Sequence, residues 1–225
     1  RLFFTLCLMN AAMKSSYVRK DGSVVKIVKR PVPRLLPLFT RVANEMVNDV
    51  NKVKFNVRPA EIYLGDARRL EKIPDESIDA VITSPPYLNK IEYTKVYEVE
   101  LELFVSGHPP DMVSSFIGMA PRERANLMID ARDLPDSAVA YLKDMEASLL
   151  EMHRVLKNNG RAAIVVAGGV YPDRVVETDL LISEIAEEIG FRVDKIRAIN
   201  KRVATTGRIR RIGESRESIV YLTKK

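Results

Sequence analysis

Val42, Met46, Val47, Val50 and Val53 recur at helical spacing, which predicts an amphipathic helix over about 38–54 with Arg41, Glu45, Asn48, Asp49 and Lys52 on its polar face. Residues 2–14 read as a helix. Val24-Val25-Lys26-Ile27-Val28 reads as a short extended piece ended by Pro31 and Pro33, with 30–34 as a linker or an arm. Glu61-Ile62-Tyr63-Leu64 and Ile78-Asp79-Ala80-Val81-Ile82 have strand length and strand composition. A helix carrying Tyr93 and Tyr97 on one face follows. The span of about 105–136, broken by Pro109, Pro110, Pro121 and Pro135, reads as an insertion of the kind that often serves as a lid or binding loop.

Beyond it, periodicity predicts a helix over 137–156, a stop at Asn159-Gly160, and a buried strand over Arg161–Ala167. An amphipathic helix with Leu181, Ile185 and Ile189 apolar should end at Gly190. Phe191–Asn200 and Ser218–Leu222 read as strands flanking a basic segment, a hairpin with a long loop. Strands alternating with helices give an α/β class. The expected division is a basic N-terminal helical and extended segment over 1–58 and a main domain over 59–225. No internal repeat is visible.

Composition narrows this reading. Apolar residues are 46% and charged residues 29% of the chain, as in soluble globular proteins rather than disordered ones. The apolar opening, Leu2 to Met9, is too short for a bilayer, which needs about 20 residues; with only Arg1 before it and no clear processing site after it, a buried helix is expected rather than the alternative of a signal peptide. Cys7 is the only cysteine, so an internal disulfide and a cysteine zinc cluster are excluded, and a cytoplasmic home is expected. His108 and His153 lack ligand spacing, so no metal is assigned. The absence of Gln and Trp beside many Glu, Lys and Arg is a heat-adapted bias that ten asparagines weaken.

The net charge of +6 is unevenly spread. Lys195 to Arg216 holds eight Lys and Arg against one acid, and Lys14 to Arg34 holds seven against one. Two basic segments in an otherwise acidic chain suit a phosphate backbone, although charge runs are also ordinary solvated faces.

Candidate chemistry centres on Ser84-Pro85-Pro86-Tyr87, directly after the apolar run to Thr83. Each proline fixes its own φ and drives its predecessor toward extended backbone, so the segment is rigid. Such a segment can aim the Ser84 hydroxyl and the Pro85 carbonyl at two amine hydrogens while Tyr87 offers a flat face for an extruded base. A Pro-Pro pair after a strand also serves as a plain turn. Ser84 lacks the flanking glycines of a hydrolase nucleophile elbow.

The order Leu64-Gly65-Asp66-Ala67, strand, Ser-Pro-Pro-Tyr and Leu156-Lys157-Asn158-Asn159-Gly160 resembles the amino methyltransferases that move a methyl group from S-adenosylmethionine to cytosine N4 or adenine N6 in nucleic acids. The resemblance, from about Glu61 to the C-terminus, implies a Rossmann-like, mostly parallel sheet with a C-terminal antiparallel hairpin. It implies catalytic roles for Ser84, Pro85, Pro86 and Tyr87, and cofactor contacts from Asp66, Ala67 and Thr83. Asp66 would accept from the adenine amine or serve as a turn aspartate, and Thr83 would orient Ser84 or bond locally. Asn89, Tyr93, Lys201, Arg202, Arg208, Arg210 and Arg211 are the expected nucleic-acid contacts, with helix packing the alternative for Tyr93. The basic segment is expected to be a flexible loop on phosphates.

Ser at the head of the motif favours cytosine N4, and DNA or structured RNA is the expected substrate. The family's glycine-rich cofactor loop, of the Asp-Pro-Phe-x-Gly-x-Gly kind, is not found. The chain is therefore expected to be a piece starting after that loop. The alternatives are a partner chain that supplies it, with a homo-oligomer also open, or a catalytically silent nucleic-acid-binding subunit.

Overall fold

Two helices near the N-terminus, Leu2–Lys14 (α1) and Leu35–Lys52 (α2), bury a narrow stripe: Cys7 and Ala11 from the first, Leu38, Val42 and Ala43 from the second. Phe3, Phe39 and Met46 close this small core. The predicted stripe on α2 is covered only in its first half, because Val47 and Val50 stay exposed. Between the helices, Val18–Asp21 (β1) and Val24–Ile27 (β2) form an antiparallel hairpin in the register Val18↔Ile27 to Asp21↔Val24. The computed structural model describes residues 1–21, 24–53, 60–89, 96–105, 126–206 and 210–225.

The described residues fall into two compact units, one drawn from 1–61 and 91–115, the other from 62–90 and 116–225. Glu98–Phe104 (α3) thus belongs with the N-terminal helices. It is tied there by the Lys20–Glu100 ion pair and by the Lys20 ammonium, 3.9 Å from the Tyr97 ring centre.

The second unit contains Ile78–Thr83 (β3), Asp136–Val155 (α4), Leu156–Ala167 (β4), Gly169–Val170 (β5), Val175–Val176 (β6), Thr178–Ile189 (α5), Phe191–Thr206 (β7) and Arg210–Lys224 (β8). Helix α4 buries Ala138, Tyr141, Leu142, Met145, Leu149 and Met152, which recur three and four residues apart on one face. Asp136 in its first turn and Arg154 in its last match the helix dipole. Helix α5 ends where expected: Gly190, at φ +115°, caps it in the left-handed region. Both helices join one core with Leu156, Ala162, Ile164 and Val166 of β4 and Val220 and Leu222 of β8.

The sheet order is β3-β4-β8-β7. The α/β class and the C-terminal hairpin are as predicted, and the sheet among the described residues is mixed. Among the described residues only β3 and β4 pair in parallel, while β4 with β8 and β8 with β7 are antiparallel. The reason is the hairpin itself, whose return strand, rather than its first, lies beside β4.

Three local readings also change. Glu61–Leu64 forms no strand, and Ile62 and Leu64 are 90% and 83% exposed. A strand draws its stability from cross-strand neighbours, and among the described residues the isolated β-bridge nearest this stretch lies beyond it, between Asp66 and Arg69. Asn159-Gly160 is a bulge inside β4 rather than a stop. The register jumps from Ile78↔Leu156 to Ala80↔Arg161, with Asn159 at φ 62° and Lys157 bonded to Asp79 at 2.7 Å. The described residues of the basic segment are strand rather than flexible loop, since pairing between β7 and β8 continues to Thr206↔Arg210; Gly207 and Arg208 lie outside the described residues.

Helix α5 is fastened to β8 by a carboxylate. Asp179, 3% exposed in its first turn, accepts from Arg216 Nε at 2.6 Å and Nη2 at 3.2 Å, and from Ser218 Oγ at 2.7 Å. Burial opposes its ionisation, but the guanidinium and hydroxyl outweigh that and hold its carboxyl below the usual range. The folded state therefore binds this proton less readily than the unfolded chain, so the contribution is present at neutral pH and is lost as pH falls below about 4. Asp179→Asn should cost about 1.5–3 kcal/mol at neutral pH, the worth of hydrogen bonds to a charged group. In urea unfolding, its difference from the wild type should shrink on acidification through that window.

Candidate active site

Strand β3 ends at Thr83, whose backbone is held in register with Ile164 of β4, so the following Ser84-Pro85-Pro86-Tyr87 segment leaves the sheet at a fixed point. Ligands of open α/β sheets bind beyond such strand ends. Three consecutive residues then anchor the loop to two strands, β8 and β5. The Tyr87 hydroxyl donates to Glu217 Oε1 on β8 at 2.6 Å. Leu88, 2% exposed, enters the core against Gly169, where an added Cβ would lie 2.6 Å from a Leu88 methyl carbon. Asn89, at φ 52°, donates its side-chain amide to the Val170 carbonyl at 2.8 Å. Its left-handed backbone is one that Asn tolerates. Thr83 is half-buried, and Ser84 is exposed with no hydrogen-bond partner among the described residues.

Tyr87 borders a cleft of about 200 Å³ lined by Ala167, Asn200, Arg202, Ser215, Arg216 and Glu217. Ala167, Glu217 and Asn200 lie in one row across β4, β8 and β7. Arg216 is held by Asp179 and, at 3.3 Å, by Glu177. The Ser215 hydroxyl donates to the Gly168 carbonyl at 3.0 Å. Of the expected nucleic-acid residues, Arg202 lines this cleft, while Lys201 pairs with Glu214 at 3.2 Å. Arg210 and Arg211 are exposed at the start of β8 and, being consecutive in a strand, point to opposite faces. Tyr93 and Arg208 lie outside the described residues.

Asp66 and Ala67 lie in a turn closed by Arg69 N–H to the Asp66 carbonyl at 2.9 Å. Both Asp66 carboxylate oxygens face Arg68, through Nε at 3.0 and 3.1 Å and Nη2 at 2.6 Å, and Arg68 reaches on to Asp144 of α4 at 2.7 Å. This fork holds the Asp66 carboxyl below its ordinary range. The two residues line a separate, mostly apolar cleft of about 450 Å³ with Tyr63, Leu64, Leu70 and Ile73. Tyr87 is not part of that lining.

Sequence reasoning missed Glu217, Asn200 and Arg216. Glu217 gave no local signal, since the sequence reading starts the last strand at Ser218 and only the structure extends it back to Arg210. Leu88 and Gly169 were missed as an anchor because nothing local links them. His153 packs edge-on against Phe191, ring centres 5.0 Å apart, and burial, with Lys224 adding to it, lowers its pKa. Among the described residues no three His, Cys, Asp or Glu side chains group as metal ligands, and no helix is long and apolar enough to cross a membrane.

Residues 78–225, from the start of β3 through both walls of the cleft, match the DNA methylase family of the N6/N4 kind. The chain belongs to that family. This methylase-family chain is 24% identical over 250 residues to the type II methyltransferase M.AvaI of Nostoc sp., covering 86% of itself and 51% of that protein. It is 25% identical over 273 residues to the type II methyltransferase M.BsoBI of Geobacillus stearothermophilus, covering 88% and 54%. With the type II methyltransferase M.PvuII of Proteus hauseri it shares 32% identity over 124 residues, covering 54% and 34%. The chain spans about half the length of the first two of these curated relatives. The crystal structure of a DNA modification methylase from Thermus thermophilus, complexed with S-adenosyl-L-methionine, matches at 20% identity and a TM-score of 0.41, covering 72% of this chain and 54% of that one.

The anchor under the Ser84-Pro85-Pro86-Tyr87 loop is testable by packing. Gly169→Ala should overfill the Leu88 contact and destabilise by about 1–3 kcal/mol. Combined with Leu88→Ala, the added methyl should find room, making the double variant more stable than the sum of the single losses. Thermal unfolding of the three variants reads this directly.

Proposed function

We propose that this chain carries the base-binding and methyl-accepting side of an S-adenosylmethionine-dependent DNA amino methyltransferase, with cytosine N4 the favoured target. The observation that carries the reading is the Ser84-Pro85-Pro86-Tyr87 loop, anchored at a strand end beside a cleft with two arginines. An exocyclic amine conjugated to its ring is a weak nucleophile. The Ser84 hydroxyl, accepting from one amine hydrogen, and the Pro85 carbonyl, accepting from the other, would draw the lone pair out of conjugation. Preorganised acceptors of this kind need no rearrangement during the reaction. Tyr87 would stack on the extruded base. Ser at the head of the motif supports cytosine N4 over adenine N6, and membership of a DNA methylase family supports DNA over RNA.

The apolar cleft around Tyr63, Leu64, Ala67, Leu70 and Ile73, with the Asp66 carboxylate at its edge, fits the flat adenosyl end of the cofactor. There Asp66 would share its acceptor positions between the Arg68 fork and an adenine amine, and Thr83 lies at the strand end leading into the catalytic loop. S-adenosylmethionine, when bound, supplies a methyl group activated on a sulfonium. Arg202, Arg210 and Arg211 would meet phosphates, as would Lys201 after releasing Glu214.

Nucleoside mass spectrometry of DNA from cells expressing the chain as part of an otherwise complete enzyme, with the cofactor loop supplied, should show N4-methylcytosine, lost with Ser84→Ala and strongly reduced with Tyr87→Ala. Stacking on Tyr87 is worth about 1–3 kcal/mol. N6-methyladenine in its place would overturn the cytosine assignment, and unmodified DNA would overturn the activity. Binding to duplex DNA should weaken with salt, and Arg210→Ala with Arg211→Ala should flatten the slope of log affinity against log salt by about two units, at about 0.9 per phosphate. An unaltered slope would remove these arginines from the interface.

A further inference from the structure

Tyr87 is held at its hydroxyl as well as through its backbone neighbours, and the partner at the hydroxyl has no assigned role. Glu217 stands 130 residues further along the chain, on a strand separated from β3 by β4. Its neighbours Arg216 and Ser218 both turn to Asp179. Strand alternation therefore sends the Glu217 side chain to the opposite face, where it is half-buried in the cleft row with Ala167 and Asn200. The other phenol of this region, Tyr141, is 1% exposed, and its hydroxyl has no partner among the described residues. Burial and the nearby Tyr87 keep that hydroxyl un-ionised.

A tyrosine rotates broadly about its ring bond, and a side chain frozen only when ligand arrives loses that freedom at the expense of affinity. We propose that Glu217 is a positioning residue: conjugation keeps the phenolic O–H in the plane of the ring, so by accepting the Tyr87 proton from a fixed direction Glu217 holds the ring at the angle at which its face meets an extruded base. The inference rests on the reading that Tyr87 stacks on a base. It concerns the orientation of Tyr87, not methyl transfer itself, so it can be tested by binding alone.

The probe is a short single-stranded oligodeoxynucleotide carrying 2-aminopurine, whose fluorescence falls when it stacks. Wild-type protein should quench it and Tyr87→Ala should not. Glu217→Ala and Tyr87→Phe, which break the same hydrogen bond from its two ends, should each weaken binding about tenfold, in the range of a hydrogen bond to a charged group. Glu217→Gln, which keeps an acceptor oxygen, should restore binding. In the Tyr87→Phe background Glu217→Ala should have no further effect. If Glu217 acted only through its charge, Glu217→Gln and Glu217→Ala would both tighten binding to the anionic strand, which would overturn the proposal. Additive losses in the double variant, or wild-type quenching by Glu217→Ala, would overturn it as well and leave base stacking intact. Absence of Tyr87-dependent quenching in the wild type would overturn the stacking reading together with this one.

Discussion

Asp179 is the joint on which the cleft depends. By accepting from Arg216 and Ser218, two residues apart on β8, it fixes which face of that strand turns toward α5. Because successive side chains of a strand alternate, the residue between them has no choice of face. A one-residue slip of β8 would bury Glu217 under the helix and expose Ser218. The register β4–β8, from Arg161↔Thr223 to Ala167↔Glu217, carries the same constraint across the sheet. A buried carboxylate is costly unless paired and hydrogen-bonded, and here it is both, so the slip would sacrifice the pairing along with the apolar packing of Val220 and Leu222.

The Ser84-Pro85-Pro86-Tyr87 loop is held by contacts of different kind. Leu88 contributes burial, about 1.5–3 kcal/mol for a leucine side chain fully removed from water, and this fixes where the loop sits. The Tyr87–Glu217 and Asn89–Val170 hydrogen bonds contribute direction. Gly169 is required because the Leu88 side chain occupies the volume a Cβ would fill. Ser84 stays exposed while the residues after it are fastened, so the hydroxyl is presented on a rigid support.

The charged residues near the cleft fall into two energetic classes. Lys201–Glu214 is an exposed pair, and such pairs are worth about 0–1 kcal/mol, so a phosphate can displace the glutamate at little cost. Arg216 is committed to a nearly buried carboxylate, and losing it would strand that charge. Lys201, Arg202, Arg210 and Arg211 are therefore available to a nucleic acid, while Arg216 builds the wall of the cleft.

The chain's local pattern was enough to place the helices of 2–14 and 137–156, a further helix within 173–190, the strand leading into Ser84-Pro85-Pro86-Tyr87, and the glycine that ends α5, because helical periodicity, proline rigidity and left-handed caps act within a few residues. Local pattern failed at Glu61–Leu64, which forms no strand among the described residues, and at the basic segment, whose described residues up to Thr206 and from Arg210 pair as β7 and β8 where glycines suggested a loop. Tyr87 was legible as a residue; Glu217 as its partner was not, nor was Asp179 as the joint beneath it. Those contacts join positions 130 and 37 residues apart. Sheet order and register alone bring such positions together, because hydrogen bonds and van der Waals packing act over a few ångströms of space whatever the separation along the chain.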